Sequence, residues 1–173
     1  VGGAVSLTRA GQDPITVVKK DILRFDGVND SLQGLFANNI DSGYMFAAFT
    51  VLGDGGGVYG RVLSVNNAAS PALDYSNPGG IFSIHNNPSP TTDLSSFHNS
   101  AFLNHSNMFD PENGDVLHEV KIQSGSNLSR VNQAGLINDN RVSSINSDVF
   151  NISQAGPGGG HVSLDLEYLA LFP

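Results

Sequence analysis

Hydrophobic positions along this 173-residue chain come in short runs broken by Gly, Pro, Asn and Ser. Residues 1–21 lack a helical period; Val5 with Leu7 and then residues 15–18 are separated by Gly11 and Pro14, which predicts an extended arm followed by a strand. Leu23 and Phe25, then Leu32 and Leu35, flank Asp26-Gly27-Val28-Asn29-Asp30. Glycine supplies positive φ there and Asx side chains bond their own backbone, so the pattern predicts strand, turn, strand. Residues 44–52 are apolar on both faces, and their aromatic and β-branched content predicts a central strand covered on both sides. Gly53-Asp54-Gly55-Gly56-Gly57 breaks any helix, and residues 58–65 resume an extended pattern through Arg61, Leu63 and Val65. The expectation is a hairpin.

Further strands are predicted at residues 80–85, 116–123, 130–137, 148–153 and 161–172. Residues 86–111 hold Pro88, Pro90 and Pro111 around the apolar spots Phe97, Phe102, Leu103 and Phe109. A structureless loop of that length is unusual, so a packed excursion or a short strand is expected within it. Short strands punctuated by turns are the pattern of a β-sandwich. The reading is all-β: a two-sheet antiparallel β-sandwich over residues 21–173, preceded at residues 1–20 by an extended N-terminal arm or first strand. The strands around Leu23 and Leu166 are expected to lie side by side.

Three segments carry a resemblance. Leu23-Arg24-Phe25-Asp26-Gly27-Val28-Asn29-Asp30 is similar to the opening strand and turn of the laminin-G-like group of concanavalin A-like domains. Residues 46–52 followed by Gly60-Arg61-Val62-Leu63-Ser64 resemble its core hairpin, and Val116-Leu117-His118-Glu119-Val120-Lys121-Ile122 resembles a strand in which Leu117 stands where the group usually has tryptophan. Residues 161–172 resemble the closing strand. The resemblance spans roughly residues 20–173 and implies a jelly roll of two packed sheets. It also implies membership among adhesion, receptor, glycan-binding or virion-surface modules, with glycosidases and polysaccharide lyases as relatives. Fold alone does not choose among these.

Composition narrows the choice. Charged residues make up 14% of the chain, against about a quarter in an average domain, and Asn, Ser and Gly carry the polarity instead. A net charge of −8 and eight scattered Lys and Arg oppose the basic patch that nucleic acid requires. Apolar runs fall well short of the roughly 20 residues a membrane-spanning helix needs. With no cysteine there are neither disulfides nor thiolate metal sites. The chain opens at Val1 with no charged-then-apolar leader, as a processed or trimmed product would.

Catalysis finds no motif. Glycoside hydrolysis needs two carboxyl groups set roughly 5 to 10 Å apart. Of the three glutamates, Glu112, Glu119 and Glu167, none sits in Glu-x-Asp-x-x-Glu, and Asp165 with Glu167 reads as an outward, solvated pair. No lyase-type Arg, Gln, His and Tyr cluster and no Gly-x-Ser-x-Gly elbow occur. Residues 55–60 match Gly-x-Gly-x-x-Gly, but a strand follows where a phosphate loop needs a helix. His85, His98, His105, His118 and His161 lack zinc-site spacing, and His118, on the face of Val116, Val120 and Ile122, reads as a satisfied core or edge histidine.

Hard oxygen ligands cluster at Asp26, Asn29 and Asp30 and again at Asp110, Glu112, Asn113 and Asp115. Turn chemistry accounts for both, and calcium is the one metal they leave open. For a sugar, the candidate ligand-binding residues are Asp54, Tyr59, Arg61, Tyr75, Asn86 and Asn87, with Asn66 and Asn67 beside them; there is no tryptophan to stack on. Two non-catalytic readings follow. In the first, the domain is a structural, decorating or attachment module on a viral (phage) particle or bacterial surface. It would assemble with protein partners, as a homo-oligomer or larger assembly, through a sheet face and an arm that adds a strand to a neighbour's sheet. In the second it is a lectin-like glycan- or receptor-binding module at a cell surface or outside the cell. A polysaccharide-degrading enzyme is the third.

Overall fold

Alternation of burial reveals the strands directly. In β5 (Gly43–Gly53), Met45, Ala47, Phe49 and Val51 are buried, and in β10 (Asp115–Gln123) Val116, His118, Val120 and Ile122 are; the residues between them are half-buried or exposed. A period of two means one face of each strand lies against the core. The computed structural model describes residues 5–7, 15–17, 22–53, 59–71, 79–86, 94–98, 101–105, 115–132, 134–140, 144–154 and 160–172, with 5–7, 15–17, 59, 83–86, 97, 101 and 102 described by backbone alone. Among these residues there is no helix, and therefore none long and apolar enough to cross a membrane.

β1 (Val5–Leu7) and β2 (Ile15–Val17) pair antiparallel with each other, Ser6 opposite Thr16. The other strands form two six-stranded antiparallel sheets. The β5 sheet runs β12 (Ile137–Asp139), β11 (Ser126–Val131), β10, β5, β14 (Ser163–Phe172), β3 (Leu23–Asp26). The β6 sheet runs β4 (Leu32–Ile40), β13 (Ser147–Ile152), β6 (Tyr59–Asn66), β7 (Gly80–Asn86), β8 (Leu94–His98), β9 (Ala101–His105). Between the sheets lies a core that includes Phe25, Phe49, Phe82, Leu63, Val65, Ile122 and Leu164. This is the two-sheet sandwich, and Leu23 of the first core strand stands opposite Leu166 of the last.

Three sequence expectations need correction. β5 and β6 are not a hairpin: β5 bonds to β10 and β14, and β6 to β13 and β7. A strand has only two edges, and with β5 and β6 in different sheets Leu63 and Val65 share the core with Phe49 and Val51 without lying beside them in one sheet. β5 is also not covered on both sides, since its outward residues Tyr44, Phe46, Ala48 and Thr50 are half-buried or exposed. Residues 130–137 are not one strand but the end of β11, a turn with Asn132 at positive φ, and the start of β12. Within residues 86–111 the expected excursion is the β8–β9 pair.

At the end where β11 and β12 pack on β8 and β9, the layer between the sheets is polar. Ser96, His98, His105, His118, Asn127 and Ser129 are all buried there. The Ser129 Oγ lies 3.0 Å from His105 Nε2 and 2.9 Å from His118 Nε2, linking the two sheets. Burial, and then the neighbouring His105, lower the His118 pKa to about 3, so His118 is the satisfied neutral histidine expected of that face.

Close packing sets one sharp contrast between glycines. A Cβ on Gly60 would sit 2.7 Å from Val162 Cβ and 2.9 Å from the His161 carbonyl oxygen, against backbone that cannot yield. On Gly53 it would meet only Ser163 Cβ, at 3.9 Å. Gly60→Ala is expected to cost about 1–3 kcal/mol and Gly53→Ala under about 0.5 kcal/mol. Urea unfolding of both variants checks this, and equal costs would refute it.

Candidate functional site

The outward face of the β5 sheet is built in rows, because antiparallel register places side chains from successive strands side by side. Arg24, Asp165, Thr50 and Asp115 form the first row, across β3, β14, β5 and β10. Tyr168, Ala48 and Leu117 form the second, Ala170, Phe46, Glu119 and Arg130 the third, and Phe172, Tyr44, Lys121 and Leu128 the fourth.

Tyr168 reaches this face through an irregularity. Alternation from Leu164 and Leu166 would point it inward, but the register shifts between Leu166 and Tyr168. The extra residue, Glu167, is left exposed, and Tyr168 turns outward while Leu169 and Leu171 pack against the core. The Tyr168 ring then meets Phe46 edge-on, with centroids 5.9 Å apart and planes at 77°. Tyr168 is 49% exposed, Phe172 58% and Tyr44 38%, so three rings present themselves to solvent on one sheet face.

The charged groups around these rings are held in place. Arg24 grips Asp165 through Nε and Nη2, both at 2.6 Å, which raises the Arg24 pKa. The expected solvated Asp165–Glu167 pair is therefore absent: Asp165 is buried under Arg24 and only Glu167 is exposed. Arg130 and the Tyr44 hydroxyl both donate to Glu119 Oε2, the latter at 3.3 Å. Partial burial, and then the Glu119 charge, push the Tyr44 hydroxyl up. Thr50 Oγ1 donates to Asp115 at 2.7 Å. Rigid aromatic surface bordered by fixed donors and acceptors is the chemistry that recognises polyols.

The residues singled out from the sequence are distributed differently. Asp54, Tyr75 and Asn87 lie outside the described residues. Tyr59 and Asn86 stand opposite each other where β6 begins and β7 ends, and Arg61 follows two residues on, opposite Ile84. Arg61 is half-buried, and its backbone N–H donates to the Gly160 carbonyl at 2.7 Å. Asn66 and Asn67 are used internally: Asn66 Nδ2 donates to the Pro71 carbonyl at 2.6 Å and Asn67 Nδ2 to that of Asn146 at 3.2 Å. The β5-sheet rings were missed because Tyr44, Phe46 and Tyr168 read as core, and nothing local marks the shift at Glu167.

The Asp26 turn is closed on itself. Asp26 Oδ1 accepts the N–H groups of Val28 at 2.8 Å, Asn29 at 3.3 Å and Asp30 at 3.4 Å, while Asp30 Oδ2 accepts the Asp26 N–H at 3.1 Å. These bonds, the one from Val28 foremost, hold the Asp26 pKa below its usual value. Asp110, Glu112 and Asn113 lie outside the described residues, and no group of three or more metal-ligating side chains occurs among the described ones.

No family model matches the chain, and no curated protein matches its sequence. Solved structures do match. The exoplasmic/lumenal domain of VIP36 in a Ca2+/Man2-bound form is similar at a TM-score of 0.52, with 13% identity over 99% of this chain and 80% of that one. A toad ovary galectin in complex with thio-digalactose gives 0.48, with 6% identity over 82% and 98%. An alginate lyase from Pseudomonas aeruginosa gives 0.48, with 8% identity over 78% and 68%. The fold is the concanavalin A-like jelly roll.

Proposed function

We propose that this domain is a non-catalytic, lectin-like carbohydrate-binding module, and that its sugar site is the outward face of the β5 sheet. The observation that carries the reading is the exposed set Tyr44, Tyr168 and Phe172, ordered beside the Glu119–Arg130 and Asp165–Arg24 pairs. A sugar ring would lay its C–H face on an aromatic ring while its hydroxyls bond to the fixed charges. VIP36, whose domain shares the fold, was solved with a mannose ligand and calcium, which supports a glycan as the class of partner and a lumenal or extracellular setting. That support falls on the carbohydrate reading rather than on the decorating one. An enzyme draws none from the carboxylates: Asp165 is clamped by Arg24, and Glu167 is displaced from its row by the register shift.

A glycan array run with and without calcium tests the reading, followed by titration of the best ligand. Tyr168→Ala or Phe172→Ala is expected to weaken binding about tenfold or more, as loss of an aromatic contact residue typically does. Arg61→Ala, on the other sheet, should leave it unchanged. No glycan bound in either condition would overturn the proposal; loss on Arg61→Ala alone would move the site to the β6 sheet.

A further inference from the structure

The fourth row of the β5 sheet ends at an open cleft of about 340 Å³ that includes Ser42, Tyr44, Lys121, Gln123 and Phe172 in its walls. That volume is at the lower bound of small-molecule sites, which begin at roughly 300 Å³, and suits one sugar residue rather than an extended chain.

Lys121 gives the cleft its character. Register places it directly beside Tyr44, with Phe172 on the far side of Tyr44, so a cation and two exposed rings share one row. The carboxylate two residues away, Glu119, is already engaged by Arg130 and the Tyr44 hydroxyl. Lys121 makes no ion pair among the described residues. Among the described residues Lys121 is the one charged side chain in the cleft walls, with Asp41 beside it engaged by the Ser42 hydroxyl at 3.0 Å, in a chain whose net charge is −8. A protein this acidic repels anionic polymers overall, so a local cation at the mouth of an aromatic cleft selects where an anion approaches and how it is oriented.

We infer that this cleft is a subsite for an anionic sugar residue, whose carboxylate or sulfate meets the Lys121 ammonium while its ring lies on Tyr44 or Phe172. The inference rests on the carbohydrate reading above. Gln123 supplies a donor and an acceptor for the ring hydroxyls, and the Ser42 hydroxyl, which donates to Asp41 Oδ1 at 3.0 Å, can accept from them. A lysine acts as a point charge without a fixed fork, so carboxylate and sulfate are both compatible with it.

The test uses the whole chain and three probes: an oligogalacturonate trimer, the same trimer fully methyl-esterified, and a sulfated galactose oligomer of equal length. The acid is expected to bind about two- to fivefold more tightly than the ester at low salt, the advantage an accessible ion pair gives. The advantage should shrink at high ionic strength. Lys121→Gln should reduce the acid to the affinity of the ester, which itself stays unchanged, and Lys121→Arg should retain the preference. The sulfated probe shows whether sulfate is accepted as carboxylate is. Equal binding of acid and ester, or a preference that survives Lys121→Gln, overturns the subsite while leaving the glycan reading in place. Failure of all three probes to bind, with neutral glycans bound on the array, does the same; failure of every glycan overturns both.

Discussion

Lowering the pH from 7 to 3 is expected to cost the domain roughly 4 kcal/mol of stability through one side chain, His118. Its ring is wholly buried between the sheets, and its pKa of about 3 in the folded state lies well below the 6.5 of a free histidine. As pH falls below about 6.5 the unfolded chain takes up a proton that the folded chain refuses, so stability falls steadily until about pH 3. His105, also lowered by burial, acts in the same direction. Asp26 adds to the loss at the acid end, since its lowered pKa stabilises the fold only while the carboxylate is ionised. Total stabilities are of order 5–15 kcal/mol, so the effect would be plain in thermal melts taken across pH. His118→Gln keeps a polar group near Ser129 without a titrating ring and should flatten the profile between pH 6 and 4. A wild-type profile that is already flat there would refute the assignment.

Phe49→Ala should cost about 3–5 kcal/mol, through lost apolar contact and the cavity left behind. Phe49 is 1% exposed at the middle of β5, the strand held on both edges by β10 and β14. Phe172→Ala, at the end of the adjacent strand but on the outward face, should change stability by no more than about 0.5 kcal/mol. Chemical denaturation of the two variants separates the faces of the sheet. It also shows whether weakened glycan binding by Phe172→Ala reflects lost contact rather than lost fold. A Phe49→Ala cost no larger than that of Phe172→Ala would contradict the placement of the core.

Local chemistry made parts of the molecule legible. The Asp26 turn closes through the Asx bonds its sequence predicts. β7, β10 and β13 fall within a residue or so of the expected segments, because each is a short apolar alternation bounded by turn residues. His118 faces the core because its neighbours at every second position are Val116, Val120 and Ile122. The candidate site was far less legible. Tyr44 and Phe46 lie in a run that is apolar throughout, so nothing in the run says which face solvent sees. Tyr168 needed a register shift that depends on the pairing of β14 with β5, a partner more than a hundred residues away.

The sequence by itself therefore determined most of the strands, the Asp26 turn and the all-β class, since these follow from periods and propensities a few residues long, but not the division of residues 130–137 between β11 and β12. Beyond the pairing of β3 with β14, which strand lies beside which, the assignment of β5 and β6 to opposite sheets, the rows of rings and paired charges, and the bridging of His105 and His118 by Ser129 across the two sheets were decided only by tertiary structure. The physical reason is that strand edges and sheet faces are satisfied by distant partners. Each strand has two edges to fill and one face to bury, and packing the whole core selects which of the many locally equivalent pairings survives.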